Sequence, residues 1–332
     1  MKIAIAERLR PFSHSPGISC LIPGTRWHVQ AFPMQLIFTS PTGDQQTFHL
    51  QLKGPVAGFT LLQDLERGFV SLFGRWKEGF FSWKIEAKEA ALWLFLERAP
   101  DEGCTLQGCS LMRKGSIRIC AIDEALPLIS HERFSLGCHK KQEWESMQKR
   151  SDMAEIAPFW MRLAQLTPYQ ERVIAADEPL ITLLHRLFQG HFRSMFLPVL
   201  KDDLYQGFYP AETLSPLHEG AHLIRQALFQ EEIGKSTLYK LLPGLPSLWH
   251  CGRMINLSAS DGNRLDVEWS KKQLRRLVIY PASSSSISLV LPPGIKSFRL
   301  RTSMEKPGIR VPAFSLLSLE SKIPIFLDRF EK

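Results

Sequence analysis

Along residues 1–135 apolar side chains recur at every second position in short runs: Trp27, Val29 and Ala31; Phe48, Leu50 and Leu52; Phe81, Trp83, Ile85 and Ala87; then the longer Leu92–Leu96. A period of two puts successive side chains on opposite faces, so each run predicts a strand with one buried face. Turn-forming clusters lie between the runs: Ser40-Pro-Thr-Gly-Asp44, Gly54-Pro55, Glu66-Arg-Gly68 and Lys77-Glu-Gly79. Strands broken about every eight to twelve residues predict a sandwich or barrel. Core packing is the expected role of Phe59, Phe69, Phe73, Phe80 and Phe81 and of most of the four tryptophans in this third.

The period changes over 140–235. Trp144, Met147, Ile156, Trp160 and Leu163 keep approximate helical spacing, with Pro158 expected to break or kink the run. Pro179 opens a second apolar face through Leu180, Leu183, Leu184, Leu187, His191 and Met195, ending near Pro198. A third helix begins with Ser215 as N-cap and Pro216 at the first helical position, and carries Leu217, Ala221, Ile224 and Leu228. Strands return after 236. Leu265, Val267 and Trp269 share one face of an alternating run, with Asp266 and Glu268 on the other; Gly252 reads as a turn, and Lys271-Lys272 as a hairpin tip.

The expected architecture is multidomain α+β: an N-terminal β-sandwich over 1–139, a short helical segment of three to four helices over 140–235, and a C-terminal β-sandwich over 236–332. The net charge of +8 concentrates in the last third, which holds 15 basic and 7 acidic residues. That balance suits an acidic protein partner. The run Lys271-Lys272-Gln-Leu-Arg275-Arg276 has no interleaved aromatic residues, as a nucleic-acid stacking platform would require, so no nucleic acid is expected. No apolar run reaches membrane-spanning length, and the polar turn after Met1-Lys-Ile-Ala-Ile-Ala gives no secretory signal, so the expected location is cytoplasmic. The six cysteines form no Cys-x-x-Cys pair and are expected as free thiols, with no cofactor.

The stretch from Ser215 to Tyr280 contains Gln230, Leu241-Leu-Pro-Gly-Leu-Pro246, Trp249, Gly252 and Glu268-Trp269. In that order these residues resemble the exit from the helical barrel into the C-terminal β domain of six-hairpin glycoside hydrolases of the alpha-L-fucosidase type. The resemblance implies a carbohydrate-associated protein. It places the family's acidic position near Ser215, which cannot act as a base, so Glu219, Asp202, Asp203 and Glu212 remain as candidate carboxylates. Glycosidic cleavage uses two carboxylates about 5–10 Å apart. A complete barrel needs twelve helices, roughly 200 residues with connections, and 140–235 is too short for it, so the catalytic pair is expected to be missing. A surviving sugar pocket would lie where the Lys201–His218 loop meets the β domains, with Trp160, Tyr205, Tyr209, His218 and Trp249 around it.

Two other readings remain. His218-Glu219-Gly220-Ala221-His222 matches the His-Glu-x-x-His pattern, in which His218 and His222 would bind zinc and Glu219 would act as general base. Alternatively, the chain is a non-enzymatic interaction scaffold that docks a partner through its basic C-terminal third.

Overall fold

The computed structural model describes residues 2–3, 9–51, 55–77, 79–98, 104–106, 109–111, 115–123, 132–137, 153–168, 195–196, 215–234, 237–303, 305 and 307–332. Four sheets dominate it. A six-stranded sheet takes the order Phe12–Ser13, Ala57–Asp64, Phe69–Trp76, Gly79–Lys88, Ala91–Arg98, Gly115–Ala121. A seven-stranded sheet is centred on Gln45–Gln51, Gln35–Thr39, His28–Phe32 and Ile18–Leu21. In the last third a second seven-stranded sheet contains Cys251–Ser258, Arg264–Ser270, Gln273–Tyr280 and Ile325–Glu331, and a four-stranded sheet contains Phe229–Glu232, Thr237–Leu241, Ser285–Val290 and Leu317–Leu319.

Alternation works as the sequence suggests. Phe81, Trp83 and Ile85 are fully buried, as are Val29, Ala31, Leu36 and Phe38. Leu265, Val267 and Trp269 are likewise buried, and one contiguous core runs from Leu9 to Leu327. Burying about 25 cal/mol per Å2 of apolar surface makes this core the main stabilising term.

The expectation of three to four helices is overturned. The described residues hold two, Met153–Gln165 (α1, 13 residues) and Ser215–Leu228 (α2, 14 residues), and strands predominate. Residues 169–194, where most of the second expected helix falls, lie outside the described residues. Met195, expected on its apolar face, belongs to a strand: Met195 and Phe196 pair in parallel with Ser19 and Cys20. A two-residue strand has no periodicity of its own, so its pairing is set by tertiary context. Pro158 does not end its helix, which continues to Gln165 around the buried Phe159, Trp160 and Leu163.

The two helices pack against each other, and α1 also packs against strand Arg133–Ser135. That strand falls within the first 139 residues but pairs with Cys251–Ser258 at the edge of the C-terminal sheet. Each end of the protein therefore receives a strand from outside its own run of sequence, Arg133–Ser135 in one sheet and Met195–Phe196 in another. Charged groups close the junction: Arg133 pairs with Glu66 at 2.8 Å, Arg162 donates to the Leu65 carbonyl at 2.8 Å, and Glu132 accepts the Ser258 N–H at 2.9 Å.

The Leu241–Pro246 corner finishes α2. Leu242 N–H donates to Leu228 O at 2.8 Å and Gly244 N–H to Ala227 O at 3.2 Å, so the corner satisfies carbonyls that a helix end otherwise leaves orphaned. Gly252 is not in a turn. It lies in strand Cys251–Ser258 opposite Trp269. Asp266 is not on a solvated face either: it is buried, and accepts from Asn256 N–H at 2.8 Å and Tyr280 O–H at 3.1 Å. Burial pushes its carboxyl above the usual range, against the opposing effect of those two bonds.

Lys271-Lys272 is the hairpin tip, with φ of 54° and 60° at its two residues. Two consecutive left-handed residues are the signature of a type I′ turn, whose twist matches the flanking strands.

Candidate functional site

An open concavity lined by polar side chains lies at one rim of the N-terminal sheets. It is a hollow of about 530 Å3, the size range of small-molecule sites, and Arg26, Trp27, Thr42, Asp44, Gln46 and Asp123 project around it. Two loops and a strand end build it. Thr25 Oγ1 donates to Ile22 O at 3.0 Å and accepts Trp27 N–H at 3.0 Å, while Ile22 N–H bonds Trp27 O at 2.9 Å. That turn fixes the backbone of Trp27. Gly24 N–H bonds Leu166 O beyond the end of α1, tying the loop to the helix.

The opposite wall is the Ser40–Asp44 turn. Gly43 takes φ of +95°, a conformation that glycine adopts without steric cost. Asp44 N–H donates to Ser40 Oγ at 2.9 Å, and Thr42 Oγ1 donates to Asp44 Oδ2 at 2.6 Å. Because the Thr42 proton goes to the carboxylate, the 2.7 Å contact between Ser40 and Thr42 hydroxyls is donated by Ser40. A chain of three side chains thus sets the orientation of Asp44, which remains solvent-exposed.

The end of strand Gly115–Ala121 supplies Cys120, and the following bend supplies Asp123. Burial pushes the Cys120 thiol up, opposed by a backbone hydrogen bond at Leu92 and by the charge of Arg118, so at neutral pH it stays protonated. His28, the neighbour of Trp27, points into the core. Burial lowers its pKa to about 4, so the ring is neutral at pH 7. The hollow can therefore offer an indole face, two carboxylates, an amide, a hydroxyl and a guanidinium to a polar ligand.

The site residues expected from sequence lie elsewhere. Trp160 and Trp249 are 0% and 1% exposed, so neither presents a ring face to a ligand; both are core, Trp249 at 5.1 Å from the Phe134 ring. Alternation and helical spacing report burial but not which large rings reach solvent. Asp202, Asp203, Tyr205, Tyr209 and Glu212 lie outside the described residues.

His218, Glu219 and His222 are on α2. The Nε2 atom of His218 lies 3.1 Å from the Pro168 carbonyl, which can only accept, so that nitrogen carries a proton. Burial lowers the His218 pKa, with the carbonyl acting in the opposite direction. His222 is exposed, and its Nε2 lies 2.8 Å from Gln226 Nε2, whose amide donates to it. The two rings are thus directed to separate partners. Among the described residues, no group of three or more His, Cys, Asp or Glu side chains could hold a metal ion. Pro168 also lines the hollow, so the His218 hydrogen bond holds one of its lining residues.

Two other places gather polar groups. At the helix–sheet junction, a void of about 10 Å3 beside Glu66, Arg133 and Arg162 has room for no more than a water. Around Tyr239, the hydroxyl donates to Asp261 Oδ2 at 2.6 Å and accepts from Asn263 Nδ2 at 3.0 Å, while Asn263 Oδ1 accepts Ala282 N–H at 2.9 Å. Burial and Asp261 raise the Tyr239 pKa well above the ordinary phenol value. Its hydroxyl has both a donor and an acceptor partner, and the network fastens two loops together.

None of the hollow's side chains was among the sequence candidates. Asp44 lies in the turn its pattern predicts, whereas Trp27, expected in a strand, stands just before strand His28–Phe32. Their shared position depends on how the sheets pair. Fold and hollow define a β-sheet protein with an open polar concavity and, among its described residues, two helices packed against each other. No family model matches the chain, and neither does any curated protein. No described helix is long and apolar enough to cross a membrane.

Proposed function

We propose that the protein binds carbohydrate in the hollow beside Trp27, as a non-hydrolytic relative of sugar-processing proteins. The single observation that carries this reading is the composition of the hollow: one part-exposed indole set among Asp44, Asp123, Gln46, Thr42 and Arg26 around about 530 Å3. A sugar ring has apolar C–H faces that stack on an aromatic plane and a rim of hydroxyls that bond carboxylate and amide oxygens. The size fits one or two rings. The order of residues from Leu241-Leu-Pro-Gly-Leu-Pro246 to Trp269 supports descent from the six-hairpin glycosidases.

Titration of a panel of neutral and acidic mono- and disaccharides, followed by tryptophan fluorescence and calorimetry, tests this. Saturable binding is expected, weakened about tenfold by Trp27→Ala and also weakened by Asp44→Asn. Binding that ignores both substitutions, or no binding across the panel, would sink the proposal. Release of a chromophore from aryl glycosides, lost in Asp44→Asn or Asp123→Asn, would replace it with hydrolysis by that pair.

A further inference from the structure

Core packing is the role the sequence predicts for Phe59, Phe69, Phe73, Phe80 and Phe81. Phe59 and Phe81 are indeed buried. Phe69, Phe73, Phe80, Trp93 and Phe95 are not: all five sit at outward positions of adjacent strands and retain exposure, 39% for Phe80. Four of these rings meet in two pairs. Phe73 and Phe80 lie 6.1 Å apart across the Phe69–Trp76 and Gly79–Lys88 pair, and Trp93 stacks with Phe95 at 6.3 Å along the next strand.

Cations are set between these rings. Lys84 Nζ lies 5.4 Å from the Phe69 centroid and 4.9 Å from that of Phe95, and the Arg98 guanidinium lies 5.5 Å from that of Phe80. Arg118 stands opposite Trp93 and Arg75 opposite Phe80 in the strand register. The outward positions of the four strands from Phe69 to Ala121 carry Arg75, Lys84, Lys88, Arg98 and Arg118 against Glu86 and Glu97, so the face is positive. Lys84 is paired with Glu86 at 2.5 Å, whereas Arg75, Arg98 and Arg118 make no ion pair among the described residues.

We infer that this sheet face is a stacking platform for a single-stranded nucleic acid. Half-exposed rings spaced along neighbouring strands accept unstacked bases on their π faces, and unpaired guanidinium groups between them neutralise the phosphates. A neutral sugar polymer would use the rings and leave the charges without partners. A duplex would use the charges and leave the rings uncovered, because its bases are already stacked. The charge complementarity and the interleaving together favour the single strand. The Lys271-Lys272 hairpin lacks the second feature and serves as an internal control.

Fluorescence anisotropy with labelled oligothymidylate and oligouridylate of about 20 nucleotides, and with a duplex of equal length, tests the assignment. Binding to the single strands is expected, with quenching of tryptophan emission and affinity falling as salt rises. Trp93→Ala and Phe95→Ala should each weaken it about tenfold. The double variant Arg98→Gln, Arg118→Gln, at exposed positions that leave the core untouched, should weaken it and flatten the salt dependence; it carries the test if a ring variant fails to fold. Comparison of the two oligonucleotides separates RNA from DNA. Equal affinity for the duplex would overturn the inference, as would affinity lost on Lys271→Gln, Lys272→Gln but unchanged by the face variants. Heparin binding with the same dependence on Trp93 and Phe95 would reassign the face to an anionic polysaccharide.

Discussion

Gly252 and Trp269 face each other across two antiparallel strands, and a Cβ added to Gly252 would lie 2.3 Å from Trp269 Cζ2. The indole occupies the space a side chain would need, with Ser135 O only 2.6 Å from the same point. Trp269 Nε1 meanwhile donates to Trp249 O at 3.1 Å, so the ring cannot swing aside without breaking a buried bond.

Gly252→Ala is therefore expected to cost roughly 3 kcal/mol, through overpacking against backbone and a fixed ring. Urea unfolding measures it. An unchanged midpoint would show that the Trp269 side of the contact is soft.

At the Lys271-Lys272 turn, both residues hold φ angles that L side chains resist. Lys272→Gly relieves one of them and is expected to stabilise the protein by about 1 kcal/mol. A lower melting temperature for this variant would contradict the type I′ reading.

His28 links stability to pH. Its folded pKa of about 4 lies below the ordinary value, so between pH 4 and 6.5 the unfolded chain binds more protons than the native one. Stability should rise with pH across that window, by an amount on the order of 2–3 kcal/mol, and be lost progressively as pH falls from 6.5 towards 4. In His28→Gln that slope should flatten. A slope that survives the substitution assigns it to other groups.

Asp328 also loses its contribution as pH falls, but here the native state favours the charged form. Arg299 donates to it at 2.7 and 2.8 Å and Arg301 at 2.6 Å, and the Arg299 hydrogen bonds lead in holding its carboxyl below the usual range. Its contribution is complete above the unfolded carboxyl pKa and disappears as pH falls through the lower folded value. Asp328→Asn should thus be less stable than the parent at pH 7, with the gap closing in strong acid. A gap that persists at low pH would mean that shape, not charge, matters at this position.

The sequence made visible what depends on neighbours in the chain. Strand alternation through Phe81, Trp83 and Ile85 is found as expected, and α2 begins at Ser215, where the Ser-Pro pair signals it. Position across sheets was invisible. Phe69 and Phe73 share a strand with the buried Val70 and Leu72, and hydrophobicity alone cannot say that the phenylalanines take the outer face. Asp266 looked solvated because alternation assumes one wet face; that face does hold the exposed Arg264, but at Asp266 it is closed over by Tyr280 and the Asn256 backbone, neighbours the strand pattern does not report. Trp27 and Asp44, 17 positions apart, meet only through the pairing of His28–Phe32 with Gln35–Thr39 and of that strand with Gln45–Gln51.

Strand Arg133–Ser135 carries a practical message for anyone dividing this chain. Cutting after residue 139 would send that strand away with the wrong fragment and leave Cys251–Ser258 with its hydrogen-bonding groups bare on one side, a ready template for self-association. The fragment would also lose Phe134 from above Trp249 and Trp269. A workable C-terminal piece has to begin upstream of Glu132, or borrow a substitute strand.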